Sequence, residues 1–132
     1  MIGLDTNVIV RLFVDDDPQQ ARQARAFVAR ECSAEDPGFI DRVALCELIW
    51  VLTSVHGYER TAVADVIDRL VGIREIRLED GEVVSLALRA FRASNVDFAD
   101  LLIGEVNRAH GCTVTATFDR RASKLDGFVR VS

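Results

Sequence analysis

The sequence predicts an α/β fold in which a mostly parallel sheet is covered on both faces by helices. Three observations point there. Short apolar or β-branched segments alternate with longer amphipathic ones, the pattern of repeated strand–helix units. The chain has 132 residues, the size of a single domain with one real core, so one domain over residues 1–132 is expected. An apolar fraction of 49% with evenly scattered charge describes a globular chain, not a disordered one.

Taken in order, residues 1–4 form a short apolar strand, followed by a helical turn over 6–14. In Asp15-Asp16-Asp17-Pro18, Asp17 suits the N-cap and Pro18 the first helical position, and the acids suit the helix dipole. The helix 18–31 carries Ala21, Ala24, Phe27 and Val28 on one face, and Pro37-Gly38 punctuates the loop 32–37. Phe39-Ile40 reads as a strand and 43–56 as a strongly apolar helix ended by Gly57. Val63, Val66, Ile67 and Leu70 keep helical register over 60–71, and a strand spans 73–78. Helices follow at 81–93 and 98–110, the second stopped by Gly111. A β-branched strand at 113–118, a helical turn at 119–124 and a strand at 128–131 complete the chain. Right-handed crossovers put the ends of all strands that lead into a helix on one edge, where open sheets bind ligands. Asp5 and Asp119 both fall on that edge.

Several classes are excluded or disfavoured. No apolar run approaches the roughly 20 residues of a membrane helix. The start lacks a basic segment followed by a long apolar one, so no signal peptide is expected and the cytoplasm is favoured. Cys32, Cys46 and Cys112 are odd in number and far apart, which fits free thiols in a reducing compartment. His56 and His110 each precede a glycine at a helix end, where they favour the C-terminus. With no C-x-x-C or H-x-x-x-H, zinc is disfavoured. The net charge of −5 argues against a general nucleic-acid-binding surface but leaves room for a local basic face. Of the 16 basic residues only Lys124 is lysine; arginine holds phosphate with a rigid fork, although genome composition yields the same bias.

The informative residues are acids without an evident structural role. Glu47 is the only charge in Val43-Ala-Leu-Cys-Glu-Leu-Ile-Trp-Val-Leu52, and its helical neighbours include no cation. In a helix apolar around most of its circumference, Glu47 is expected to be partly desolvated, which is costly without a partner. The same cost attaches to Asp5 at the end of a core strand. Asp97 and Asp100 have the spacing of a capping box, which also holds a carboxylate rigidly at a helix start. Asp119 closes the strand in which Thr113, Thr115 and Thr117 share one side, and the Thr117 hydroxyl is a candidate to orient a carboxylate or a metal-bound water. Four such acids at one edge repel: at roughly 5 Å and an effective dielectric of about 20, each pair costs on the order of 3 kcal/mol. A divalent cation reverses that sign, and oxygen ligands without His or Cys select hard ions such as Mg²⁺ or Mn²⁺. The reaction class that follows is metal-assisted phosphodiester hydrolysis, with metal-bound water as nucleophile.

These residues carry a family resemblance. Met-Ile-Gly-Leu-Asp5-Thr6-Asn7 with Val10-Arg11, Leu45-Cys46-Glu47-Leu48, Asp97-Phe-Ala-Asp100-Leu-Leu-Ile and Thr117-Phe-Asp119 resemble, in order and spacing, a PIN-domain ribonuclease, and within that group the toxin half of a VapBC toxin–antitoxin pair. The resemblance implies a three-layer α/β/α sandwich with the first and fourth strands adjacent. It implies catalytic, metal-binding acids at Asp5, Glu47, Asp100 and Asp119, an auxiliary metal acid at Asp97, and supporting polar residues at Thr6, Asn7 and Thr117. It further implies Mg²⁺, with Mn²⁺ as substitute, an RNA substrate, a homodimer, and silencing by a cognate VapB-type antitoxin whose tail enters the active groove. Arg11, Arg120 and Arg121 adjoin the matching residues and are candidates to grip RNA phosphate or the antitoxin. The family more often reads Asp-Ala-Leu-Ile-Ala where this chain has Asp100-Leu-Leu-Ile-Gly104. Leu101 is expected to narrow the site and Gly104 to weaken the helix slightly, and neither removes a ligand.

Two other readings compete. A receiver-like phosphotransfer domain shares an Asp/Mg²⁺ edge, but it needs a lysine at a late strand end, and Lys124 stands beyond the Asp119 turn. A non-catalytic binding module of the same fold would be favoured by loss of an acid, and all four are present. The helix 43–56 has more apolar circumference than one sheet face covers, so Trp50 and Leu52 are expected either in a two-fold subunit contact or beneath helix 60–71.

Overall fold

Strand β1 (Ile2–Gly3) opens the chain and is followed by α1 (Thr6–Phe13), α2 (Pro18–Glu31), β2 (Gly38–Ile40), α3 (Arg42–Ser54), α4 (Arg60–Gly72) and β3 (Ile76–Leu78). This computed structural model describes all residues, 1–132, which fall into two compact units, Met1–Gly81 and Glu82–Ser132. In the first unit the strands form a parallel sheet of order β1-β2-β3, with Ile2 opposite Gly38 and Phe39 opposite Arg77. Gly38 sits where a Cβ would lie 2.8 Å from Leu4 Cδ1 and 3.0 Å from Cys32 Sγ, so a larger residue there would displace one of these side chains. Ile9, Ile40, Leu45, Leu48, Leu52, Ile67 and Leu70 are fully buried, the positions that helical and strand periodicity selects. Asp17 caps α2 as expected, accepting from the Gln20 N–H at 3.1 Å, with Pro18 first in the helix.

The second unit contains most of α5 (Gly81–Arg92), then α6 (Phe98–Ala109), β4 (Thr115–Thr117), a single 3₁₀ turn (Ala122–Lys124) and β5 (Phe128–Arg130). β4 pairs in parallel with β5. Phe91 and Phe98 meet edge to face, with ring centroids 5.6 Å apart and planes at 82°. Gly104, expected only to weaken its helix, has a packing reason: a Cβ there would lie 2.6 Å from the Phe128 ring. Leu101 is buried, as is Leu102.

Six α-helices with all-parallel strands constitute the α/β class that the alternation predicts, consistent with a three-layer α/β/α fold. The departures are local. The strand expected from residue 73 begins at Ile76, because Ile73 ends α4 by donating its N–H back to the Leu70 carbonyl. Within the first unit the strand ladder runs β1-β2-β3, and within the second β4 pairs with β5. Leu52 belongs to the buried face of α3, whereas Trp50 is 63% exposed, so only Trp50 is available to a partner. No helix is long and apolar enough to cross a membrane.

Candidate functional site

Asp5 follows β1 and is the N-cap of α1, its Oδ1 accepting from the Thr6 N–H at 2.7 Å. Its carboxylate is exposed, so the desolvation cost expected from its place at a core strand does not arise. β1 is only two residues long and burial stops at Leu4. The next residue, Thr6, is the one buried polar side chain. A buried hydroxyl needs a partner, and Thr6 Oγ1 donates to Glu47 Oε2 at 3.0 Å, linking residues 41 positions apart. The start of α1 thus connects to the middle of α3, with Asp5 and Glu47 both bound to Thr6.

Glu47 also differs from expectation. It is exposed, because α3 buries Ala44, Leu45, Leu48 and Leu52 and leaves Val43, Glu47 and Trp50 outside. The apolar composition of that helix does not mean burial all round. Asn7 lines a groove beside α2, and its amide makes no bond to Asp5 or Glu47. Arg11 is engaged within the chain: its Nε donates to Gln20 Oε1 at 2.9 Å, and its guanidinium pairs with Asp16.

In the second unit, Asp97 occupies the N-cap position of α6 but makes no capping hydrogen bond, so the capping box that its spacing to Asp100 suggests does not form. Asp100 lies half-buried in the first turn of that helix. Burial pushes its carboxyl above the ordinary value, and the negative charges of Asp97 and then Asp119 push it further. These acids, from the start of α6 and the end of β4, are one group electrostatically. Asp119 Oδ1 accepts from the Ala122 N–H at 2.7 Å and opens the 3₁₀ turn. Thr117 Oγ1 accepts from the Asp119 N–H at 3.0 Å, so this threonine holds the backbone of the acid, not its carboxylate. Arg120 and Arg121 are exposed on the same turn.

Ion pairs join the N-terminus to Asp36, Arg11 to Asp16, Arg30 to Glu31, and Arg42 to Glu79 and Asp80. None neutralises Asp5, Glu47, Asp97, Asp100 or Asp119. Within neither unit do three or more His, Cys, Asp or Glu side chains form a group ready to hold a metal ion. The donor chemistry of both acid groups nevertheless suits a hard divalent cation: carboxylate and hydroxyl oxygens, uncompensated by arginine. The thiols lie elsewhere, with Cys32 buried, Cys46 half-buried and Cys112 exposed, all free.

Three polar features escaped the sequence reading. Asp41 caps α3 through the Ala44 N–H at 2.7 Å. Arg42 clamps Glu79 and Asp80, each at 3.1 Å. Asp80 itself takes a positive φ of 51°. An Asp two residues before an apolar helical run, and the Asp80-Gly81 pair, were the available signals.

The family model of the PIN domain matches residues 2–128, nearly the whole chain and both of its units. No curated protein matches it. PIN domains are generally metal-dependent nucleases acting on nucleic acid. With strands and helices in the fold class that the family requires, the chain belongs to the PIN domain family.

Proposed function

We propose that the protein is a Mg²⁺-dependent endoribonuclease, the toxin of a toxin–antitoxin pair, held silent by a cognate VapB-type antitoxin. The observation that carries the catalytic part is the uncompensated state of its acids. Asp100 sits in a repulsive field from Asp97 and Asp119 that no arginine relieves. An arrangement that raises its own electrostatic energy without a structural return is expected where a cation is to bind.

On this reading each unit supplies metal-binding acids. Asp5 and Glu47 of the first unit, and Asp100 and Asp119 of the second, are the metal ligands, and Asp97 is an auxiliary acid. When bound, Mg²⁺ or Mn²⁺ supplies Lewis-acid chemistry, neutralising phosphate charge and lowering the pKa of a water. The protein's part is positioning. Thr6 fixes one oxygen of Glu47 and, through its N–H, one oxygen of Asp5, leaving the other oxygen of each carboxylate available. Thr117 and the Ala122 N–H set the turn that presents Asp119. Asp100 must be ionised to serve, and the pull of a cation would reverse the upward push on its carboxyl. Arg120 and Arg121 are the arginines beside these acids that remain outside the ion pairs, and they are proposed to contact RNA phosphate or the antitoxin. Trp50 of α3, 63% exposed, is the proposed homodimer contact, and Trp50→Glu is expected to yield a monomer in sedimentation. A cytoplasmic location completes the reading.

The test is cleavage of a mixed-sequence single-stranded RNA with Mg²⁺ by the wild type, Asp5→Asn and Asp100→Asn. The reading expects cutting by the wild type alone and loss with EDTA. Equal rates for all three proteins would end it.

A further inference from the structure

We infer that the groove between α1 and α2 is a pocket for one nucleobase of the RNA strand, an inference that rests on the ribonuclease reading and adds a recognition element to it. The groove encloses about 390 Å³. Val8, Ala24 and Phe27 supply apolar surface, while Asn7 and Gln23 bring side-chain amides. A base taken out of a single strand needs this combination: apolar or aromatic surface against its faces and amides against its donor and acceptor edges.

Three further observations favour a nucleic acid over an apolar peptide. First, the other polar groups of the groove are already held in place while these two amides are not. Gln20 Oε1 accepts from Arg11 Nε at 2.9 Å, and Arg11 also pairs with Asp16, which fixes that rim. The Asn7 and Gln23 amides make no hydrogen bond within the chain and are exposed, free to bond a base edge. Second, α2 carries Arg22 and Arg25 outside the ion pairs, with Arg30 bound to Glu31, in a chain of net charge −5. The Arg30 guanidinium carbon stands 5.6 Å from the Phe27 ring centroid, the aromatic–arginine pairing that single-strand binders use. Third, the groove is continuous in sequence with the acids, since Asn7 directly follows Thr6, which binds both Asp5 and Glu47. A base seated there would fix which nucleotide lies near those carboxylates.

The experiment uses the wild type, Gln23→Ala, Phe27→Leu and Asp100→Asn, each first shown to fold by its melting curve. A short single-stranded RNA containing 2-aminopurine is titrated in EDTA, and the ends produced from a mixed RNA pool with Mg²⁺ are sequenced. The pocket predicts a fluorescence change with the wild type and Asp100→Asn that falls at least about 5-fold with Phe27→Leu. It also predicts that Gln23→Ala flattens base preference at one position near the cut by about 10-fold. Fluorescence that responds in this way without any cleavage sustains the pocket and defeats the nuclease reading. Cleavage by the wild type, with fluorescence and base preference unchanged in both groove variants, overturns the pocket and leaves the nuclease standing. Variants that weaken only binding of a partner protein, with both RNA readouts unchanged, assign the groove to that partner and also overturn the inference.

Discussion

Asp5 and Glu47 meet through a hydroxyl, whereas Asp97, Asp100 and Asp119 meet through their charges. In the first group each acid has a bonded oxygen, Asp5 on the Thr6 N–H and Glu47 on the Thr6 hydroxyl, and both are exposed to water that screens them. In the second, Asp97 stands at a helix start without making the capping bond that would account for it, and Asp100 is half-buried under the field of its two neighbours. Only Asp119 of that group has a carboxylate oxygen in a turn. On the proposed function, the difference would separate two ways of building a metal ligand. One group is organised by hydrogen bonds within the chain. The other holds a half-buried carboxyl against two neighbouring charges, which a cation would relieve.

The largest effect expected from this contrast is at Asp100. Asp100→Asn should lower RNA cleavage by at least about 100-fold while raising the melting temperature of the metal-free protein by about 1–3 °C. The pH dependence carries a sign. Because the folded-state pKa of Asp100 lies above 3.8, its contribution favours the fold below that pH and is lost as pH rises through the raised value. In EDTA, the melting temperature of Asp100→Asn should therefore gain on the wild type as pH rises across the acidic range. A constant gap would mean that Asp100 carries no strain.

Next in size is Thr6→Val, which keeps the volume and the N–H to Asp5 but removes the bond to Glu47. Cleavage should fall about 10-fold, as for removal of a group that orients a metal ligand, with melting nearly unchanged. An unchanged rate would reduce the hydroxyl to a packing detail. Gly104→Ala acts away from the acid chemistry. Its Cβ would overlap the Phe128 ring at 2.6 Å, an overpacking cost of about 1–3 kcal/mol against roughly 1 kcal/mol of gained helix propensity. Calorimetry should show a melting point no higher than the wild type's, where an exposed helical glycine would show a rise.

The smallest effect sharpens the comparison. Asp97→Ala should change stability by less than about 0.5 kcal/mol, whereas Asp41→Ala should cost about 1 kcal/mol in denaturant unfolding, because only Asp41 makes its capping bond. Equal losses would mean that Asp97 is structural.

The element order was legible in the sequence because periodicity and punctuation agree at nearly every boundary. Pro18 after Asp17, and Gly57 and Gly111 after apolar helices, mark their ends without tertiary help. The candidate acids were legible as residue types in an ordered pattern. Their environments were not. Glu47 looked buried because α3 is apolar, yet which face of a helix meets the core depends on its neighbours, and Val43, Glu47 and Trp50 lie on the other side. Asp97 looked like a cap because spacing reports an opportunity for a hydrogen bond, not its formation. Gly104 looked like a defect because Phe128, which needs the space, lies 24 residues further along the chain.

The most direct test of the central claim is calorimetric titration of Mn²⁺ into the metal-free wild type and into Asp100→Asn at neutral pH. The account predicts saturable binding by the wild type, weakened at least about 10-fold by the substitution. Indistinguishable isotherms, or no specific binding by the wild type, would contradict it.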